Sequence, residues 1–226
     1  MLDSIEIKIS KEFIEKGYII KKISNLDSLN YIYSTFKKNI YKELNIKPTN
    51  NYDIFNNLHN HIKIKDLNNF RMKLFNNTNK DNRFKKEFYN VCKDYINVIV
   101  GNELVMQKRI NLSIQLPKDS SSLLPIHSDT WSGVSPYEVV VWLPLVNCYK
   151  TKSMFILPPE HSKKLEKKFK IFKNKSSDDI FKSINKKLKW IIINYGEILI
   201  FNQNLPHGNR INIEKETRWS LNCRFK

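Results

Sequence analysis

The sequence predicts an α+β fold in which a mainly helical part, residues 1–104, packs on one sheet of a cupin-like, double-sheet jelly roll formed by residues 105–226. Three observations predict it. Before Gly101 the apolar residues recur at helical intervals, whereas after it they alternate with polar ones in short runs. Those runs are separated by Pro, Gly and Asn, as turns between antiparallel strands require. No stretch reads as a linker, so 226 residues are expected to form a single domain, 1–226, with a sizeable core.

Residues 17–24 (Gly-Tyr-Ile-Ile-Lys-Lys-Ile-Ser) form a strand-like run. Ser24 then reads as the N-cap of a helix, with Asp27 as its acidic first-turn partner and Leu29, Ile32, Phe36 and Ile40 on its apolar face. Residues 47–60 are mostly polar and read as a loop. Two more helices are expected around 66–74 and 81–98, the second with Phe84, Phe88, Val91 and Tyr95 on one face. Residues 109–116 alternate as a strand with one wet and one packed face, and Pro117 ends it. Further strands are expected at 139–143, 153–157, 190–193, 197–201 and 217–225. Between them lies a basic insert near 160–189. Its densest run, 163–175, carries Leu165, Phe169 and Phe172 at helical spacing and reads as a solvated amphipathic helix, a lid or plain surface.

Composition narrows the function. Hydrophobic residues at 41% and aromatics at 12% exclude a disordered chain. Cys92, Cys148 and Cys223 lack CxxC or CxxH spacing, which argues for reduced thiols over a disulfide framework or a zinc site. No leader pattern opens the chain, and its longest apolar stretch, 139–146, is too short for a bilayer, so a soluble cytoplasmic protein is expected. The net charge of +17 comes from scattered lysines in an Asn- and Ile-rich sequence, so nucleic acid is not the expected partner; an anionic small molecule is compatible with it.

The chemistry concentrates in a few residues. His127 and Asp129 stand two apart in Pro-Ile-His-Ser-Asp-Thr-Trp (125–131), so in extended chain both point to one side. His207 follows the strand at 197–201. Together they make a 2-His-1-carboxylate set, which suits Fe(II), leaves one face of the metal open for O2 and a co-substrate, and contains no thiolate to favour zinc. Arg218 and Ser220 share a face of the last strand, and a guanidinium beside a hydroxyl suits the distal carboxylate of 2-oxoglutarate. Asn222 and Arg224 continue that face, opposite Trp219, Leu221, Cys223 and Phe225. Asn111 and Gln115 share a face of the strand before the HxD turn, where they either hold 2-oxoglutarate or substrate or meet water. Trp131, Tyr137 and Arg224 are candidate substrate contacts; Trp142 is assigned to the core.

These residues carry a resemblance. Leu-Ser-Ile-Gln-Leu-Pro (112–117), Leu-Pro-Ile-His-Ser-Asp-Thr-Trp (124–131), Val-Trp-Leu-Pro-Leu-Val (141–146) and Ser-Met-Phe-Ile-Leu-Pro (153–158) resemble the phytanoyl-CoA-hydroxylase-like branch of 2-oxoglutarate/Fe(II) oxygenases. The nearest likeness is to the sporadic carbohydrate cluster oxygenases, found among genes for surface-polysaccharide or unusual-sugar synthesis. The resemblance covers residues 105–226 and, more loosely, Gly17 and Tyr18. It implies a double-stranded β-helix, a metal held by His127, Asp129 and His207, 2-oxoglutarate held by Arg218, and a sugar derivative or other small molecule as substrate. The retained Asp129 implies hydroxylation or desaturation over halogenation. Two rival readings stand beside it. The Arg-x5-Arg spacing of Arg218 and Arg224 resembles AlkB-type nucleic-acid dealkylases, and a cupin-type binding module would keep the barrel without turnover.

Overall fold

The computed structural model describes residues 3–49, 53–172 and 174–226. Residues 50–52 of the polar segment and Lys173 of the basic run lie outside the described residues. The chain opens with a helix that apolar periodicity did not announce, α1 (Ser4–Lys16), of which only Ile9 is buried. Its signals are at the ends: Asp3 and Glu6 form a capping box, and Gly17, at φ 72°, closes it in the left-handed region. Strand β1 (Tyr18–Lys22) follows, then α2 (Leu26–Leu44) with Leu29, Ile32, Phe36 and Ile40 buried. The expected cap moves by one residue. Asn25 accepts from the Ser28 N–H, while the Ser24 hydroxyl donates to Asp94 at 2.5 Å, a partner far away in sequence. Helices α3 (Ile64–Asn79) and α4 (Asn82–Ile99) complete the helical layer. The polar segment before α3 is anchored from within, because Ile54, Phe55 and Leu58 are fully buried.

The remaining strands are β2 (Asn111–Gln115), β3 (Val139–Pro144), β4 (Phe155–Ile156), β5 (Lys189–Trp190), β6 (Glu197–Asn202), β7 (His207–Gly208) and β8 (Arg218–Phe225). A five-stranded sheet runs β1-β6-β3-β8-β2 and a three-stranded sheet runs β5-β4-β7, with every pairing antiparallel. The alternation of β8 decides how the layers meet. Trp219, Leu221, Cys223 and Phe225 are fully buried in the cluster shared with the helices. The Trp219 indole donates to the Phe55 carbonyl at 2.9 Å, and its ring lies edge-on to Phe36 and Phe55. The opposite face of β8 is left for polar work.

The basic insert folds as α5 (Pro159–Lys167), a 3-10 turn at Phe169–Phe172 and α6 (Ser177–Ile184). The expected amphipathic helix therefore breaks after Lys167. In β4, Ile156 joins the main core while Phe155 joins a second cluster with Ile126, Leu157, Leu165, Ile180 and Ile184. The insert thus covers the far face of the small sheet, and burying each such apolar side chain contributes roughly 1.5–3 kcal/mol. Cys92, Cys148 and Cys223 are free and buried, where desolvation raises each thiol, Cys148 and Cys223 to about 12. Among the described residues no helix is long and apolar enough to cross a membrane.

Candidate active site

A cavity of about 670 Å³ lies between the two sheets, within the size range of small-molecule sites. The large sheet contributes Ser113, Arg218, Ser220, Asn222 and Arg224, and the small sheet contributes His207 and Gly208. His127 enters by pairing with β7: its N–H donates to the His207 carbonyl at 3.0 Å, and the His207 N–H returns the bond at 2.8 Å. Two strictly opposed residues therefore carry two imidazoles, with ring centroids 4.4 Å apart. Ser128 is extended (φ −117°, ψ 136°), so Asp129 points to the same side as His127, as the two-residue spacing requires.

One ligand atom from each of His127, Asp129 and His207 lies within 4.8 Å of the others, and His127 Nε2 is 3.7 Å from Asp129 Oδ1. Both histidines are oriented by the same device. His127 Nδ1 lies 2.8 Å from the Pro125 carbonyl, and His207 Nδ1 lies 2.8 Å from that of Leu205. An Nδ1–H donated to a carbonyl two residues back leaves Nε2 as a lone-pair donor. Burial first, and the neighbouring His127 second, push His207 down to about 4, so its ring is neutral at neutral pH and ready to ligate. Two imidazoles and a carboxylate on one side, with a cavity on the other, fit an Fe(II) centre with open positions.

Arg224 has a role that the sequence did not disclose. Its Nη2 and Nε both donate to Asp129 Oδ2, at 2.9 and 3.3 Å. Instead of standing free as a substrate contact, it holds one carboxylate oxygen and leaves Oδ1 turned toward His127. Arg218 is in the opposite condition. It is 2% exposed and donates to the Ser153 carbonyl (3.2 Å) and to Ser113 Oγ (3.1 Å), while its Nε and the neighbouring Ser220 Oγ are buried without partners. Among the described residues no carboxylate lies within ion-pair distance of it. Desolvation lowers it to about 10, so it stays charged at neutral pH. A buried, protonated guanidinium with no carboxylate at ion-pair distance, and with Asp119 acting on it only from further away, fits an incoming carboxylate.

The other sequence candidates divide. Asn111 lines the cavity, with Nδ2 donating to Asn222 Oδ1 at 2.9 Å. Gln115 lies opposite Arg218 in register but is fully buried, outside the cavity lining, and donates to the Arg210 carbonyl. Trp131 turns away to pack, tilted, against Phe169 of the insert with ring centroids 4.8 Å apart, and Tyr137 is 79% exposed; neither lines the cavity. Both follow the HxD pair, in the turn and loop after Asp129, where the chain is no longer extended. Trp142 is buried in the core and also reaches the cavity wall. Among the described residues none of 159–189 lines the cavity, so the insert buttresses the HxD turn from outside and does not cover the site.

Two features escaped sequence reading. Helix α3 walls the cavity with Leu67, Arg71, Met72 and Phe75, which apolar periodicity marks only as helix. Gly208 is required by close approach: a Cβ there would sit 2.7 Å from the Leu124 carbonyl oxygen and 3.0 Å from Phe155 Cζ. Asn209 then bonds Leu124 in both directions, which ties the loop before the HxD turn to β7.

No protein-family model matches this chain, and no curated protein matches it. Solved structures do. ThoJ, a non-heme monooxygenase in complex with nickel, aligns over 96% of this chain and 76% of its own, with a TM-score of 0.60 and 11% identity. HygX from Streptomyces hygroscopicus, with nickel and 2-oxoglutarate bound, aligns over 100% of this chain and 87% of its own (TM-score 0.55, 13% identity). AviO1 from Streptomyces viridochromogenes Tue57 aligns over 100% and 95% (TM-score 0.62, 11% identity). At these identities the likeness establishes a shared fold.

Proposed function

We propose that this protein is an Fe(II)- and 2-oxoglutarate-dependent dioxygenase that hydroxylates or desaturates a small molecule, with a sugar derivative as the substrate class that the sequence resemblance implies. The observation that carries the reading is the unpaired, buried Arg218 in the same cavity as the His127–Asp129–His207 cluster. A metal site alone would suit a hydrolase or a binding module, but neither gives a buried cation anything to do. That a protein of the same fold, HygX, is solved with nickel and 2-oxoglutarate supports the assignment. In this reading the two antiparallel sheets are the halves of a double-stranded β-helix.

His127 Nε2, His207 Nε2 and Asp129 Oδ1 would hold the iron, and Arg218 with Ser220 would hold the far carboxylate of 2-oxoglutarate. When bound, iron and co-substrate supply oxidative chemistry, with dioxygen consumed and 2-oxoglutarate converted to succinate and carbon dioxide. The chain's own part is orientation. The carbonyls of Pro125 and Leu205 keep both imidazoles in one tautomer, and Arg224 fixes which oxygen Asp129 presents. The apolar wall of Val140, Trp142, Met154 and Phe201 keeps water from the reacting atoms.

Anaerobic visible absorption tests this. A charge-transfer band is expected only when both Fe(II) and 2-oxoglutarate are present, absent in His207→Ala and lost or weakened in Arg218→Ala. A folded wild-type protein with no band would overturn the reading.

A further inference from the structure

The cavity holds one more cation than the proposed chemistry uses. Of the three arginines lining it, Arg224 is engaged by Asp129 and Arg218 is reserved for the co-substrate. The third, Arg71, comes from α3 and is half-buried. Its Nη2 donates to Asn68 Oδ1 at 2.6 Å and its Nη1 to the Leu112 carbonyl at 3.3 Å. Among the described residues no carboxylate lies within ion-pair distance of it, and Asp129 is the only acidic residue lining the cavity. A guanidinium carries five N–H donors, so several remain for a ligand.

The bond to Leu112 places Arg71 beside the Asn111–Asn222 pair, which sits one alternation step along the strands from Ser113 and Ser220. Because Asn111 Nδ2 is given to Asn222 Oδ1, the Asn222 amide N–H2 and the Asn111 carbonyl keep no hydrogen-bond partner among the described residues. A free donor next to a free acceptor matches a hydroxyl, which accepts and donates at once. Charge points the same way. Asp129 offsets Arg224 and the far carboxylate of the co-substrate occupies Arg218, so Arg71 is the lining guanidinium left for the substrate. An oxyanion on the substrate offsets it.

We propose that Arg71 is the substrate anchor and that the substrate is a small hydroxylated molecule bearing an oxyanion, bound through that oxyanion to Arg71 and through a hydroxyl to Asn111 and Asn222. This rests on the function proposed above and names the substrate class of that site. The oxyanion chemistry is shared by phosphate esters and carboxylates.

The test uses the full chain loaded with Ni(II) and saturated with 2-oxoglutarate, so that Arg218 is already filled. Glucose 6-phosphate, glucuronate and glucose are then compared by calorimetry and thermal unfolding. The phosphate ester is expected to bind and stabilise, more weakly as salt rises, while glucose does not. Arg71→Gln should weaken that binding on the order of tenfold to a hundredfold, with Arg71→Lys in between. Glucuronate binding in preference to the phosphate ester would identify a carboxylate as the group recognised. If glucose binds as well as its anionic counterparts, or no anionic probe binds wild type more tightly than Arg71→Gln, the proposal fails. The Fe(II)–2-oxoglutarate band separates the two levels. Present without anion selectivity, it sinks only the anchor; absent from wild type, it sinks the reading beneath.

Discussion

The two ends of β8 present the same side chain to the same cavity under opposite electrostatic conditions. At one end Arg218, 2% exposed, meets only a backbone carbonyl and a serine hydroxyl. At the other Arg224, with its side chain 31% exposed, grips Asp129. Six residues of extended strand set their Cα atoms about 20 Å apart, so one end secures the metal carboxylate while the other stays open to an anion. The strand's period of two puts both arginines on one face. What each one does is decided by the elements brought opposite: the HxD turn for Arg224, and for Arg218 a stretch of sheet that supplies no acid.

The comparison can be broken by exchanging each arginine for methionine. Arg218→Met should weaken 2-oxoglutarate binding on the order of a hundredfold or more, as read by titration of the charge-transfer band, with metal affinity retained. The same variant without ligand should be at least as stable as wild type, because an unpaired buried charge has been removed. Arg224→Met should act the other way. Metal affinity, measured by competition with a chelator, should fall roughly 10–100-fold as Asp129 loses the group that orients it. Its metal-free form should lose about 1–3 kcal/mol in denaturant unfolding, and added Ni(II) should widen that deficit, because the variant that binds metal more weakly gains less from it. Equal behaviour of the two variants would mean that the ends are not differentiated. The smallest effect marks the boundary of the site: Tyr137→Ala should change stability by less than about 0.5 kcal/mol and leave ligand affinities unchanged, since the ring is 79% exposed. A weakened substrate affinity in that variant would show that the loop after the HxD turn folds over the cavity.

Much of this site is legible from neighbours in sequence. His127 and Asp129 share a side because Ser128 is extended, and Arg218 and Ser220 because β8 is a regular strand. The faces of β8 likewise follow from alternation, with Trp219 and Leu221 in the core and Asn222 in the cavity. Trp131 lay beyond the reach of alternation, because the chain leaves extended geometry at Asp129 and the ring swings to Phe169. Alternation falls short for Gln115: the residue has the right parity, but the Arg210 carbonyl captures its amide. Helix α1 was hidden because it buries little, and β7 because two residues are too few for a pattern.

Local periodicity dictates the helical layer, the strand-rich core and the side on which each candidate residue stands, because backbone geometry repeats every 3.6 or two residues whatever the rest of the chain does. Only the folded chain decides partnership. The bridge between His127 and His207, the grip of Arg224 on Asp129, the solitude of Arg218 and the arrival of Arg71 beside Asn111 all join residues that periodicity cannot relate. Their physical cause is the pairing of β7 with the HxD segment and the packing of α3 against β2. The free energy that brings them together comes from the buried apolar faces and not from the polar groups that do the work.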